Sequence, residues 1–373
     1  MIRALVASHH DADKRALLRD CLVPLARGVP GAFLERHWLR GPHVRLAVPA
    51  GTPEAPLLAD VAGYLRRNPS RQPVDPVAYA RLSRELGRSE LVAGPYEPVR
   101  ADNTAVMEDY PEQDSVALLG EAGFALKRRI LARAVEPLAH GLEALDRGRH
   151  RVVVAMGALI ANATRWPIGG LATGQLSYRS HLEDFLANND ADGQVRTLLA
   201  ARFAANEDSL RAAFRAQVSA TDHGRYTGDD PYPRAWSEAF DDVWPALLEA
   251  SQAGEVTEDV GPGYLSAARE FDERTERQWR FGPDRPSSDF HHELGKLRDL
   301  PERVHVSEFA AYRFVTNQVT RWLPLLGISP VERYFASFAV CELTEQEFGV
   351  SWRDQLAAIR RDPHARISEG NPT

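Results

Sequence analysis

The segment WLRGPHVRL (38–46) places two arginines and a histidine around a Gly-Pro turn. Strand alternation after the turn puts the apolar residues on one face, and His43 and Arg45 on the other. The guanidinium fork of Arg45, with Arg40 across the hairpin, can hold a carboxylate or a peptide carbonyl in a fixed orientation. A solvated strand face is the alternative, and spacing alone favours it.

The segment GQLSYRSHLEDFL (174–186) combines hydroxyl, imidazole and guanidinium groups. Ser180 and Glu183 have the spacing of a capping box, which would place Arg179 and His181 at a helix N-terminus. Such an end favours anions and disfavours a charged imidazole nearby. The spacing leaves open a second interpretation, in which the serine and glutamate only cap and the histidine is half-buried among aromatic residues.

The segment VSEFAAYRFVTNQVTRWL (306–323) has two distinct helical faces. One carries Phe309, Tyr312, Thr316, Val319 and Leu323, and the other carries Arg313, Asn317 and Arg321. A tyrosine hydroxyl in a cavity can exchange a hydrogen bond with a reacting amide. Core packing is the more common role for such a tyrosine.

Other classes of site are excluded by what the sequence lacks. HHE (291–293) has no third ligand at a recognisable spacing, so no metal site is expected. Cys21 and Cys341 lie at opposite ends of the sequence and predict reduced thiols. There is no Gly-rich phosphate loop, nucleophile elbow or kinase motif set.

Length and composition indicate which class of protein contains these three segments. With 373 residues, 44% hydrophobic and 26% charged, the chain is an ordinary globular protein. Its net charge of -7 gives no reason to bind nucleic acid. The longest apolar run, VVVAMGALIA (152–161), is too short to cross a membrane, and the N-terminus has no signal-peptide core, so we expect a cytoplasmic protein.

Periodicity predicts an α+β fold with the strands near the N-terminus and a large helical remainder. We expect strands at 2–7, 32–39 and 44–48, with the last two forming a hairpin, and helices at 11–28, 55–67, 76–86, 114–146, 193–218 and 234–250. We expect one domain over residues 1–373, with soft boundaries near 219–234 and 281–289 and a loose tail at 362–373.

Taken together, the three segments resemble the C-terminal, elimination-type domain of lantibiotic dehydratases, which also occurs as a stand-alone thiopeptide-biosynthesis protein. GPHVRL (41–46) is similar to the family's Gly-x-His-Leu-Arg-Leu strand, and SYRSHLEDFL (177–186) is similar to its Ser-(aromatic)-Arg-Ser-His-x-Glu stretch. The third match is AYRFVTNQVTRWLPLLGISPVERY (311–334). In order and spacing the matches cover most of the chain, and they imply the fold of that elimination domain.

The resemblance implies one of two kinds of short relative. One kind eliminates glutamate from glutamylated Ser or Thr and leaves dehydroalanine; the other is a pyridine synthase that joins two dehydroalanines in a formal [4+2] aza-cycloaddition. Eliminating members carry His-Met-x-x-Asn-Arg where this chain has RFVTNQ (313–318), and Tyr-x-x-Glu-x-x-Arg-Tyr-Gly-Gly where it has YEPVRAD (96–102). Both departures favour the pyridine synthase.

Within that mechanism, we expect Tyr312 and Ser307 to polarise the amide and stabilise its iminol form, with Ser287 or Ser288 as alternatives to Ser307. We expect His181 to shuttle a proton as water and then the leader peptide leave. The residues expected to bind the substrate are Arg40, His43, Arg45, Tyr178, Arg179, Ser180 and Asn317.

The expected partner is a precursor peptide consisting of a leader and a modified core, and the chemistry requires no cofactor or metal. An exposed strand edge can bind an extended peptide such as the leader. Two alternatives remain open. The first is a glutamate-eliminating lyase of a split dehydratase, and the second is a non-catalytic partner that recruits a dehydratase.

Overall fold

A computed structural model describes residues 1–258, 262–280, 287–298 and 305–362. The chain begins with β1 Ile2–Ser8, α1 Arg15–Leu17, a π-helical turn Leu18–Leu22, α2 Val23–Arg27, β2 Phe33–His37, β3 His43–Pro49, α3 Glu54–Arg67, α4 Pro76–Glu90, β4 Thr104–Asp109, α5 Glu112–Arg133 and α6 Val135–Asp146. It continues with α7 Arg151–Ala163, α8 Gly170–Gly174, α9 Leu176–Asn189, α10 Gln194–Ala204, α11 Glu207–Val218, β5 Thr221–Asp222, β6 Arg225–Tyr226 and α12 Pro231–Gln252. The remaining elements are α13 Pro262–Phe271, α14 Glu273–Trp279, α15 Asp289–Arg298, α16 Val306–Trp322, a 3-10 turn Leu323–Leu326, α17 Pro330–Phe348 and α18 Trp352–Arg361.

The described residues form two compact units. Unit 1 comprises Met1–Leu142, 253–258, 262–280 and Pro324–Gly327, and unit 2 comprises Glu143–Gln252, 287–298, 305–323 and 328–362. The predicted soft boundary at 219–234 lies inside unit 2 and contains the short hairpin β5–β6. Residues 281–286 and 363–373, where the other boundary and the tail were expected, lie outside the described residues. One domain over residues 1–373 stays a prediction.

Unit 1 is built on an antiparallel sheet with the strand order β2-β3-β1-β4. Its register pairs Glu35 with Arg45, and His37 with His43, across the predicted hairpin. Because side chains alternate, the apolar residues of β3 face one side and the polar residues face the other, as expected. The α+β prediction is therefore confirmed. Strand β4 was not expected from the sequence, because three of its six residues, Thr104, Glu108 and Asp109, are polar or charged and all six positions are half-buried or exposed.

Unit 2 is helical around α7, which contains the long apolar run 152–161 and is buried along almost its whole length. None of the described helices combines the length and apolarity needed to cross a membrane. The helix predicted at 193–218 is two helices, because Asn206 leaves the helical conformation with φ near -127°.

The capping box predicted at Ser180 and Glu183 is wrong. Helix α9 already begins at Leu176, because α8 leads into it with only Gln175 between them. Ser180 therefore lies in the body of the helix, and Glu183 binds Arg196, with Oε2 2.7 Å from Nη2. The capping boxes that do form in unit 2 are Ser329 with Glu332, and Ser351 with Asp354.

Candidate functional site

The ten residues selected from the sequence divide between the two units. Unit 1 holds Arg40, His43 and Arg45, and unit 2 holds Tyr178, Arg179, Ser180, His181, Ser307, Tyr312 and Asn317.

Arg45 is buried on the polar face of the sheet, with 8% of its surface exposed. Its partner across the hairpin is Glu35, not Arg40 as expected, because residues 38–42 form the loop. Burial lowers the pKa of Arg45 and Glu35 opposes the shift, but a guanidinium keeps its charge. The arginine is therefore a buried cation, and the solvated alternative does not hold.

Glu35 is shared with other groups, so it does not neutralise Arg45 alone. Its Oε1 lies 2.8 Å from Lys127 Nζ, and its Oε2 accepts a 2.7 Å hydrogen bond from the hydroxyl of Tyr110. Burial raises the pKa of Glu35, but the charge of Lys127 and the other partners outweigh it and the net pKa is lowered. Two cations thus face one carboxylate, and this face of the sheet suits an additional acceptor such as a peptide carbonyl.

His43 is fully buried beside Arg45. Its Nδ1 lies 2.8 Å from the carbonyl oxygen of Gly41, which only accepts, so Nδ1 carries the proton and Nε2 is an acceptor. Burial, followed by the charge of Arg45, lowers the pKa of His43 to about 3. The imidazole is therefore neutral at physiological pH, and its Nε2 has no hydrogen-bond partner among the described residues.

Two more buried polar atoms near His43 lack a partner within the described ranges. They are Oγ of Ser8, which pairs with His43 in the register of β1 and β3, and Nε of Arg100. The other guanidinium nitrogens of Arg100 bind Glu108, with Nη2 2.8 Å from Oε2. An unpartnered buried polar group costs about 1–3 kcal/mol, so a ligand that reaches these atoms recovers free energy. We call Ser8, Glu35, His43, Arg45 and Arg100 the sheet cluster.

Arg40 lies in the loop rather than on the polar face of the sheet. It has a positive φ of 62°, and its Nε donates to the carbonyl oxygen of Pro98 at 3.1 Å. Its own carbonyl accepts a 2.7 Å hydrogen bond from the backbone N–H of Arg100. Arg40 therefore anchors the segment that carries Arg100.

In unit 2, Tyr312 is buried, with 1% of its surface exposed. Its hydroxyl donates a 2.8 Å hydrogen bond to the carbonyl oxygen of Gly174 and lies 3.5 Å from the hydroxyl of Tyr178. Tyr178 donates to the carbonyl oxygen of Leu159 at 2.7 Å, and Asn162 Nδ2 donates to Tyr178 at 2.9 Å. Burial raises the pKa of both tyrosines.

These hydrogen bonds form what we call the tyrosine network, made up of Leu159, Asn162, Gly174, Tyr178, Tyr312 and Thr316. Asn162 closes it by donating to Thr316 Oγ1 at 2.9 Å. Gly174 is required for the close packing of this region, because a Cβ there would lie 2.3 Å from the carbonyl oxygen of Ala163. Every hydroxyl of the network bonds to a protein group.

Arg179 binds two glutamates through Nη2, whereas its buried Nε has no hydrogen-bond partner within the described ranges. Its Nη2 lies 2.6 Å from Glu345 Oε1 and 3.4 Å from Glu342 Oε1, and only 5% of the residue is exposed. It does not lie at a helix N-terminus, as the predicted capping box had implied.

His181 is half-buried in the body of α9. Burial, followed by the charges of Arg333 and Arg313, lowers its pKa to about 4. The imidazole is therefore neutral at pH 7 and is a weak base. The helix N-terminus predicted to keep it neutral is not the cause, since burial and two guanidinium groups do so instead.

Ser307 and Asn317 are half-buried at opposite parts of α16. Neither residue forms a side-chain hydrogen bond within the described part of the chain, and their roles stay predictions. Ser307 and Tyr312 are not joined by a hydrogen bond.

His291 is the histidine bonded to Ser180, and it was not among the site residues expected from the sequence. Its Nε2 lies 3.2 Å from Ser180 Oγ, and its Nδ1 lies 3.0 Å from Ser288 Oγ. Ser288 directly precedes α15, which packs against α9. The sequence shows Ser288 three residues before His291. It does not show the contact with Ser180, which lies more than 100 positions away in sequence.

Residues 4–292 match the model of a family described as lantibiotic biosynthesis dehydratase C-terminal. A solved structure, the pyridine synthase TbtD from thiomuracin biosynthesis, is 23% identical, covers 94% of this chain and 99% of its own, and superposes with a TM-score of 0.70. The structure of TsrL is 18% identical, covers 100% of this chain and 99% of its own, and has a TM-score of 0.63. No curated protein sequence matches the chain significantly.

Proposed function

Because this chain belongs to the family of lantibiotic dehydratase C-terminal domains, we propose that it is a pyridine synthase of thiopeptide biosynthesis. The observation that carries the proposal is the shared fold, along nearly the full length of both chains, with a protein described as a pyridine synthase from thiomuracin biosynthesis. The departures at 96–102 and 313–318 from the eliminating members support the same choice.

The proposed substrate is a precursor peptide with two dehydroalanines. One supplies two carbons, and the other supplies an azadiene once its neighbouring amide becomes an iminol. Ring closure forms two bonds, and the loss of water and then of the leader as an amide leaves the pyridine. No electrons are gained or lost overall, so the proposed chemistry needs no cofactor or metal.

Orientation is the main demand of such a ring closure, and proximity can contribute about 7–11 kcal/mol in favourable cases. In unit 1 the sheet cluster supports a role in holding the peptide. Arg45 offers donors to a peptide carbonyl, and Nε2 of His43 offers an acceptor to a peptide N–H. Arg40 contributes to binding by fixing the loop that carries Arg100.

In unit 2, Tyr312 and Ser307 are the residues proposed to stabilise the iminol, and His181 is proposed to move protons. The tyrosine network restricts the role proposed for Tyr312. Tyr312 can donate to the substrate only when the substrate replaces the carbonyl of Gly174 as its acceptor. Ser307 has no such competing partner in the described part of the chain.

The test is incubation of the purified protein with a synthetic leader-containing peptide bearing two dehydroalanines. We expect a product that has lost one water and the leader, together with the leader as its C-terminal amide, by mass spectrometry. The matched substrate is the same peptide carrying a glutamyl ester of serine. Loss of glutamate from that ester, with the dehydroalanine peptide unchanged, would assign the protein to the eliminating lyases instead.

A further inference from the structure

We propose that His291 is a second proton-transfer residue of this enzyme, acting in the two eliminations that make the ring aromatic. The inference rests on the proposed pyridine synthase function. His291 would add a second histidine to the proton transfers of that function.

The geometry that carries the inference is a chain of three side chains, Ser180, His291 and Ser288. Both ring nitrogens of His291 lie within hydrogen-bonding distance of a serine hydroxyl, Nε2 at 3.2 Å and Nδ1 at 3.0 Å. Ser288 is itself fixed, because its hydroxyl also accepts the backbone N–H of His291 at 3.4 Å. The ring is thus held from both sides by residues of two packed helices.

A neutral imidazole has one N–H donor and one acceptor nitrogen, whereas a hydroxyl both donates and accepts. The two serines therefore satisfy either tautomer of His291 without moving the ring. A proton taken up at one nitrogen can be matched by release of a proton at the other, which is what a group that alternates between base and acid requires.

Each of the two eliminations removes one proton from the ring and adds one proton to the leaving group. In the first, the ring carbon next to the C=N bond loses a proton and the hydroxyl gains one and leaves as water, while a C=C bond forms and the C=N bond shifts to the carbon that carried the hydroxyl. In the second, a ring C–H loses its proton, the leader nitrogen gains one and leaves as an amide, and a C=C bond forms. His291 takes one proton and returns one in each step, so it ends each step in its starting state.

His181 alone is poorly suited to hold a proton between these events. Arg333 and Arg313 lie near enough for their charges to oppose its imidazolium, and His291 also acts on it. His291 is half-buried, and each of its two ring nitrogens lies within hydrogen-bonding distance of a serine hydroxyl. The chain Ser180–His291–Ser288 therefore supports proton relay through the histidine of α15.

The test compares His291→Gln with His292→Gln in the purified full-length chain, using the dehydroalanine peptide. Glutamine keeps a donor and an acceptor but cannot carry a proton. The neighbouring His292 is exposed and bonds to Ser287 and to the backbone of Ser288, so its variant is the matched control. We expect His291→Gln to reduce kcat for pyridine formation by about 100-fold or more. The cyclic product that accumulates would have lost neither water nor the leader, so it would have the mass of the substrate. The kcat of His292→Gln should stay within a factor of three of the wild type.

Pyridine formation by His291→Gln at a rate within threefold of the wild type would overturn the inference, while leaving the proposed function intact. If the wild-type protein itself forms no pyridine, the proposed function fails. Ser180 serves as the positioning residue, so Ser180→Ala should lower kcat without raising KM, and Ser180→Thr should restore it. A raised KM with unchanged kcat for Ser180→Ala would overturn this relay and return Ser180 to substrate binding.

Discussion

On the sheet of unit 1, Ser8, His43 and Arg100 each keep a buried polar atom without a partner in the described ranges, whereas in unit 2 the hydroxyls of Tyr178 and Tyr312 bond to backbone carbonyls. Both regions bury polar side chains that the sequence marked for function. Burial of an unpartnered group costs free energy that bonding within the protein would offset. The unpartnered hydrogen-bonding atoms of the sheet cluster therefore indicate a ligand site. The hydroxyls of the tyrosine network already have partners, which indicates a rigid part of the core.

Breaking the tyrosine network through its backbone should give the largest effect. Gly174→Ala introduces a Cβ 2.3 Å from the carbonyl oxygen of Ala163, so the backbone must shift. We expect a loss of about 3 kcal/mol or more in the free energy of unfolding, measured by urea denaturation. Gly295→Ala is the control, since its Cβ meets nothing within 4 Å in α15, and it should be neutral or stabilise by up to about 1 kcal/mol. Equal stabilities for the two variants would show that the close packing at Gly174 is not needed.

Removing one hydroxyl from the same network separates rigidity from catalysis. Tyr312→Phe leaves the carbonyl of Gly174 without its donor, and we expect the unfolding free energy to fall by about 1–3 kcal/mol. If Tyr312 also stabilises the iminol, kcat should fall by an amount equivalent to about 2.7–4 kcal/mol. Lower stability with unchanged kcat, by mass-spectrometric turnover, would confine Tyr312 to the core.

The role of the sheet cluster in peptide binding can be tested by removing the guanidinium of Arg45. Arg45→Ala removes the buried guanidinium from the polar face, and we expect the Kd of the leader-containing peptide to rise by a factor equivalent to about 1.5–3 kcal/mol, measured by fluorescence anisotropy. Arg27→Ala, which breaks a surface ion pair with Glu136, is the control and should leave the Kd unchanged. Equal Kd values for all three proteins would remove Arg45 from peptide binding.

The smallest effect should come from pH. The pKa of His43 is lowered to about 3, so the folded protein binds fewer protons at this residue than the unfolded chain between pH 6.5 and 3. This contribution to stability is present above pH 6.5 and is lost by about 1.4 kcal/mol per pH unit as the pH falls through that window. Urea unfolding at pH 7.5, 6.0 and 5.0 should show a shallower decline for His43→Gln than for the wild type. Parallel curves would mean that the histidine is not buried in its neutral form.

Several features of the molecule were predictable because they depend on local rules. The alternation of β3 predicted which side chains share a face with His43 and Arg45, and the face of α16 containing Tyr312 and Thr316 is the buried one. The capping box at Ser180 failed because α8 and Gln175 had already begun the helix, and a four-residue pattern carries no information on what precedes it.

Two further results depended on long-range packing. The partner of Arg45 is Glu35 because the length of the loop set the register of the hairpin, and the partner of Ser180 is a histidine 111 residues further along the chain. Residue types and periodicity by themselves determined the α+β class and the helical faces, and three sequence motifs carried the resemblance to the C-terminal domains of lantibiotic dehydratases. Only the tertiary structure decided which polar groups are closed by hydrogen bonds and which remain open, because hydrogen bonds in a folded core join atoms whose separation in sequence is unrelated to their separation in space.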